Sequence, residues 1–212
     1  MMRLRYTPMK GYVHTIEAVV NYAGLRDRVE PVKTDPFDEI DSLIADNPLS
    51  TVPTLILEGG QAVYGGPVIY EVLDTLHARP RLFPPERWLP VRRLLWLADG
   101  VFDQYIRATR EVKEPDNMRR PHLVARQWRK LLAALDALEA QAPSFGPLDI
   151  GQVRAVGTLA FLDRTYTLVV DLMKMDALPP AFDWRNGRPA LTAWYNRTAP
   201  DPIFTQPLLP ET

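Results

Sequence analysis

Asn47-Pro48-Leu49-Ser50-Thr51-Val52-Pro53-Thr54-Leu55 and, shortly after, Ala62-Val63-Tyr64-Gly65-Gly66-Pro67-Val68-Ile69-Tyr70-Glu71-Val72-Leu73-Asp74 carry the architecture of the first third of this chain. Thr54-Leu55-Ile56-Leu57, the turn Glu58-Gly59-Gly60 and Gln61-Ala62-Val63-Tyr64 form two apolar runs around glycines, the pattern of an antiparallel hairpin. Pro67 then opens a helix that runs to about His77, because the first turn of a helix tolerates a residue without an N–H. Pro53 fits the first residue of a strand for the same reason. Upstream, Leu4 to Tyr6 reads as a short strand. Tyr12 to Tyr22 reads as a helix with Val13, Ile16, Val19 and Val20 at helical spacing, stopped near Gly24. Val29 to Val32 is a second strand, and Pro36 opens a helix through Ile40, Leu43 and Ile44. The order β-α-β-α-β-β-α implies a mixed sheet with helices packed on it.

Beyond a proline-rich bridge, Ala78 to Arg87, the strand signals stop. Val91, Leu95, Ala98, Phe102 and Tyr105 recur at three and four, as do Val124, Trp128, Leu131, Leu135 and Leu138, so two long amphipathic helices are expected. At Pro147-Leu148-Asp149-Ile150-Gly151-Gln152, Asp149 is placed to cap a helix, with Gln152 reaching back and Leu148 stapling onto Val153. A last helix spans about Arg188 to Thr198. The expected plan is an α/β domain over 1–77, a linker over 78–87 and an all-helical domain over 88–212.

Composition narrows the chemistry. The 212 residues contain no cysteine, which excludes a disulfide framework, a cysteine nucleophile and a cysteine-ligated metal. Neither Ser42, Ser50 nor Ser144 lies in a G-x-S-x-G elbow, and His14, His77 and His122 lack metal-ligand spacing, so no metal is expected. A net charge of −1 gives no electrostatic footprint for nucleic acid or an anionic membrane. Charges among the first residues and the absence of a long uncharged run argue for a cytoplasmic protein without a membrane span.

The two opening stretches resemble the N-P-x-x-x-V-P-x-L and L-x-[ED]-S-x-x-I-x-x-Y-L signatures of glutathione S-transferases. Asp183-Trp184-Arg185-Asn186-Gly187-Arg188-Pro189, on to Trp194-Tyr195, resembles the last helix of bacterial members. The resemblance implies a thioredoxin-like N-terminal domain, an all-α C-terminal domain, a homodimer and a small-molecule substrate. It implies that Val52-Pro53 is a cis-proline site whose outward backbone pairs with the cysteinyl part of glutathione. Thr7, ahead of Pro8, stands where relatives carry Ser or Cys, and its hydroxyl would stabilise the glutathione thiolate, aided by the helix behind it. Thr51, Gly65 and Gly66 fall at glutathione-contacting positions. Asp99, in Asp99-Gly100-Val101-Phe102-Asp103, resembles an acid that reaches the glutathione amine across a dimer. Met9, Tyr12, Tyr105, Thr109 and Arg110 fall where the family places its substrate pocket.

The departures concentrate at the glutathione site. The acid-Ser pair that binds the γ-glutamyl group is here Gly65-Gly66, and the Lys or Gln before Val-Pro is Thr51. Losing two charged-group hydrogen bonds, worth about 1.5–3 kcal/mol each, weakens binding roughly a hundred- to ten-thousand-fold. Gly66 still offers an amide at a helix N-terminus, and the glycines open space. Three readings follow. The first is a glutathione transferase with weakened or atypical glutathione binding, acting on a small hydrophobic or aromatic electrophile. The second is a glutathione-independent isomerase, lyase or cyclase on the same fold, and the third is a non-catalytic ligand-binding protein.

Overall fold

In β1, Met2–Tyr6, the side chains of Met2, Leu4 and Tyr6 point into one buried layer, as the two-residue period of a strand dictates. The computed structural model describes residues 1–7, 11–115, 117–173 and 182–209. These divide into two units, one from the described residues of Met1–Glu86 and Pro200–Thr212, the other Arg87–Ala199.

In the first unit β1 is followed by α1 (Val13–Ala23), β2 (Val29–Lys33), α2 (Ile40–Asp46), β3 (Thr54–Ile56), β4 (Ala62–Tyr64) and α3 (Gly66–Asp74). The sheet order is β2-β1-β3-β4, with β1 parallel to β2 and antiparallel to β3, and β3 antiparallel to β4. This is the mixed sheet expected from the sequence. Ile16, Val19 and Val20 of α1 and Ile69, Tyr70 and Leu73 of α3 are buried, and α1 packs against α3. Gly24 ends α1 in the left-handed conformation at φ 67°, where its amide returns to the carbonyl of Asn21. Arg5 alternates away from the Leu4 layer yet is buried too. Its guanidinium donates to Asp46 at 2.7 Å, to the Ser42 carbonyl at 2.8 Å and to Thr34 Oγ1 at 3.2 Å, which ties α2 to the sheet.

The second unit consists of α4 (Trp88–Lys113), α5 (Pro121–Gln141), α6 (Ile150–Met173) and α7 (Pro189–Thr198). Helix α6 is buried on every side from Ile150 to Leu159, so it forms the centre of the unit. Gly151 permits the close approach to α4: a Cβ there would lie 2.7 Å from Leu94 Cβ. Asp149 caps α6 as expected, accepting from the Gln152 amide at 3.0 Å, and it also pairs with Arg87 at 2.6 Å. Gln152 reaches back differently from the expectation, donating its side-chain amide to the Pro147 carbonyl at 2.9 Å. The Thr165 to Pro180 segment continues α6 as far as Met173 and then passes outside the described residues.

One correction concerns the domain plan. The sequence reading put 88–212 in the helical domain, but α8 (Pro202–Thr205) packs on α1 of the first unit. Asn21 Nδ2 donates to the carbonyls of Ile203 and Gln206 at 2.9 and 2.8 Å, and the buried Glu17 carboxylate accepts from the amides of Leu208 and Leu209. These polar groups on α1 satisfy a backbone that has no strand or long helix of its own, a function that the hydrophobic pattern does not encode.

Candidate functional site

Strand register brings predicted residues of the first unit to one end of the sheet. Arg5 pairs with Thr54 and Thr54 with Tyr64, so the residues next in line are Tyr6 at the end of β1 and Thr7 after it, Pro53-Val52 before β3 and Gly65-Gly66 after β4. Thr7, half-buried, thus leaves β1 at the same edge from which the Val52-Pro53 segment enters β3 and the chain enters α3. The bond between Val52 and Pro53 is cis.

The segment leading to that bond is held by two buried side chains, Asn47 and Thr54. Asn47 Nδ2 donates to the Thr51 carbonyl at 3.0 Å, to Thr51 Oγ1 at 3.1 Å and to Thr54 Oγ1 at 3.0 Å, while its Oδ1 accepts from the Leu49 amide at 3.0 Å. Thr54 Oγ1 returns to the Thr51 carbonyl at 2.8 Å. Ser50, inside this ring of bonds, adopts φ 46°, a left-handed conformation uncommon for a residue with a Cβ. Its hydroxyl is buried with no hydrogen-bond partner among the described residues. Thr51 itself is exposed, but its hydroxyl and carbonyl are already engaged by Asn47.

At the other side of the sheet end, Gly65 stands before α3 at φ 86°, which favours glycine, and an added Cβ would meet only Val68 at 3.9 Å. Gly66 is different. A Cβ there would lie 2.6 Å from Tyr12 Cδ1, 3.2 Å from Tyr12 Cγ and 3.0 Å from the Tyr70 hydroxyl. The expected open space therefore exists at Gly65 and not at Gly66, where the Tyr12 ring already fills it. Tyr12 is the residue before α1, and its carbonyl accepts from Tyr70 Oη at 3.3 Å, which fixes α1 to α3 at this point.

Met9 and Pro8 lie outside the described residues. In the helical unit, Asp99 is buried with Arg154 Nε at 2.5 Å from its Oδ1, and Arg154, fully buried, also lies over the Phe102 ring at 4.8 Å. Burial pushes the Asp99 carboxyl above the usual carboxylate range, and the Arg154 guanidinium opposes that shift. Tyr105 is buried edge-on to Phe161, and burial raises its phenol. Thr109, buried one turn on, donates back to the Ile106 carbonyl at 3.0 Å, and Arg110 is exposed.

Sequence reasoning missed Asn47, Ser50 and Tyr70 as site-forming residues. Asn47 opened the quoted motif and carried a signal as the side chain best suited to bind nearby backbone. The Tyr70–Tyr12 contact joins residues far apart in sequence and left none. Among the described residues no group of three or more His, Asp or Glu could hold a metal ion, and no helix is long and apolar enough to cross a membrane.

Two family models match, the glutathione S-transferase N-terminal domain over residues 11–76 and the glutathione S-transferase C-terminal domain over residues 121–197. The chain is 31% identical over 106 residues to the uncharacterised GST-like protein YibF of Escherichia coli (strain K12), a match that spans 49% of this chain and 52% of that protein. A glutathione transferase family member from Pseudomonas fluorescens Pf-5, crystallised with bound glutathione, is similar at TM-score 0.80 and 26% identity, covering 96% of this chain and 97% of that one. A glutathione S-transferase from Methylobacillus flagellatus KT, with glutathione bound, shares the fold at TM-score 0.83 and 23% identity over the whole of both chains.

Proposed function

We propose a glutathione-transferase-like chemistry on one premise: the chain belongs to the glutathione S-transferase superfamily. The substrate is a small hydrophobic or aromatic electrophile, and the nucleophile is the thiol of glutathione or a closely related peptide, bound more weakly than in relatives with the acid-Ser pair. The observation that carries this reading is the convergence of Thr7, the cis Val52-Pro53 bond and the start of α3 at one sheet end. An outward backbone at Val52 suits an extended peptide-like ligand. The ligand supplies a thiol that the chain lacks, and the chain supplies the hydroxyl that holds it as a thiolate. The thiol proton leaves to solvent. The sulfur then forms a bond to the electrophilic carbon as the leaving group departs with its electron pair.

Thr7→Ala tests this role. A hydrogen bond to a charged group is worth about 1.5–3 kcal/mol, so kcat/KM for thiol conjugation to a chloronitrobenzene should fall by about 10- to 150-fold, with Thr7→Ser restoring most of it. The pKa of the bound thiol should rise in the alanine variant, read from thiolate absorbance. An unchanged rate in Thr7→Ala would show that Thr7 is only a turn residue.

Asp99 and Arg154 act as a structural pair on this reading, because the carboxylate is already committed within its own chain. A homodimer is supported by the outer face of α4, where Trp88, Leu89 and Trp96 are exposed, Trp96 by 74%. Light scattering on the wild-type chain checks its mass, and a monomer at micromolar concentration contradicts the dimer. Cytoplasmic location belongs to the same proposal. The absence of a side-chain anchor at Gly65-Gly66 favours one second reading, a glutathione-independent isomerase, lyase or cyclase. Turnover of a substrate without added thiol would identify it.

A further inference from the structure

The replacement of a γ-glutamyl anchor by Gly66 is coupled to Tyr12. A Cβ at position 66 would approach two atoms of the Tyr12 ring at 2.6 and 3.2 Å, the first closer than real side chains come, and the Tyr70 hydroxyl at 3.0 Å closes the remaining side. The backbone that carries the ring is fixed. Tyr12 is the residue before α1, its backbone carbonyl is held by Tyr70, and it also receives the amides of Thr15 and Ile16 at 3.1 and 3.2 Å. Gly66 is buried beneath it, and Tyr70 is fully buried. The volume of a side chain at 66 thus belongs to an aromatic ring contributed by a different helix, and the two positions form one unit.

We infer that Tyr12 is a specificity-determining residue of the site: by occupying the side-chain volume at position 66, it replaces the hydroxyl anchor for a γ-glutamyl arm with an aromatic face, and so directs the site toward cysteinyl thiols that lack that arm. The inference rests on the reading that a peptide-like thiol lies along Val52 with its far end at the start of α3. A site that offers the γ-glutamyl ammonium and carboxylate no side-chain partner gains little from them, whereas cysteinylglycine keeps the part that pairs with the Val52 backbone.

A double-mutant cycle of Tyr12→Ala and Gly66→Ser, read by thermal unfolding and by calorimetric titration with glutathione and with cysteinylglycine, tests it. Gly66→Ser alone should lower Tm and leave glutathione affinity no tighter. In the Tyr12→Ala background the same substitution should leave Tm nearly unchanged and tighten glutathione about tenfold or more, the effect expected of one restored hydrogen bond to a charged group, while cysteinylglycine does not follow. Tyr12→Phe with Gly66→Ser should show the full loss in Tm, because the ring and not the phenol fills the space. The wild-type chain should bind the two thiols within about threefold of each other. Additive Tm changes, or tighter glutathione binding by Gly66→Ser alone at unchanged Tm, would overturn the inference. So would a wild-type preference for glutathione of more than about tenfold. If neither thiol binds the wild-type chain, the glutathione-transferase reading fails, yet the Tm cycle still decides whether Tyr12 and Gly66 are coupled.

Discussion

Replacing Arg154 by methionine should destabilise the chain by about 3–5 kcal/mol, measured by denaturant unfolding, because it leaves a buried carboxylate without its counter-charge. Arg154 is fully buried, its Nε lies 2.5 Å from Asp99, and its guanidinium covers the Phe102 ring. Methionine keeps much of the apolar stem, so the loss reports the charge and not a cavity. Adding Asp99→Asn should recover a large part of it, since a neutral amide has far less desolvation to offset. The pH dependence has a definite sign. The folded carboxyl of Asp99 already lies above its ordinary value of 3.8 through burial, so the folded state holds the proton more tightly than the unfolded state. Its contribution is therefore most favourable below that ordinary value and declines as pH rises through the folded pKa. Without the opposing Arg154 charge the folded pKa rises further, so Arg154→Met should lose more stability at neutral than at acid pH. Equal losses at both would contradict the assignment of Asp99 as the ionised partner.

The second large effect is expected at Asn47. Asn47→Ala removes the two side-chain N–H donors that reach three acceptors and the one accepted bond that hold residues 47–54, three bonds' worth in all, and it leaves the buried Thr54 hydroxyl with fewer partners. At a net 0.5–1.5 kcal/mol per bond, about 2–4 kcal/mol of stability should be lost, visible as a lower midpoint in urea at constant m-value. Hydrogen exchange of the Thr54, Leu55 and Ile56 amides should accelerate, because β3 begins in the segment that Asn47 holds. Exchange unchanged in β3 would show that the strand and not the asparagine organises the segment. Asn47→Asp is a sharper variant: it keeps the acceptor for Leu49 but none of the donors, so it should be nearly as damaging as alanine.

Much of the fold was legible because periodicity and punctuation agree. The Glu58-Gly59-Gly60 turn between two apolar runs, Gly24 after an apolar helix and Asp149 before Gln152 each report a local backbone requirement, and each stands where the sequence places it. The candidate site was legible in its parts, Thr7, Val52-Pro53 and Gly65-Gly66, while strand register made their common location evident. What the sequence concealed depends on long-range polar pairing. Strand alternation by itself says nothing of Arg5, whose partners are Thr34 and Asp46 of α2. Asp99 is expected from the resemblance to bind a ligand amine, and its pairing with Arg154, distant in the chain, left no signal in the sequence. The tail from Pro200 has no apolar period of its own, and Glu17, Asn21 and Arg26 hold it through backbone groups. Gly66 looked like a lost side chain that opened space, whereas the Tyr12 ring had taken the volume.

Calorimetric titration of the wild-type chain with glutathione is the most direct test of a glutathione-transferase-like site that keeps the backbone contact at Val52 and lacks the γ-glutamyl anchor. Saturable binding with a Kd of about a millimolar is the predicted result, since roughly 3–6 kcal/mol of charged hydrogen bonding is missing from an otherwise micromolar site. Absence of heat up to about ten millimolar would contradict the glutathione-dependent account, and micromolar affinity would contradict the weakened site.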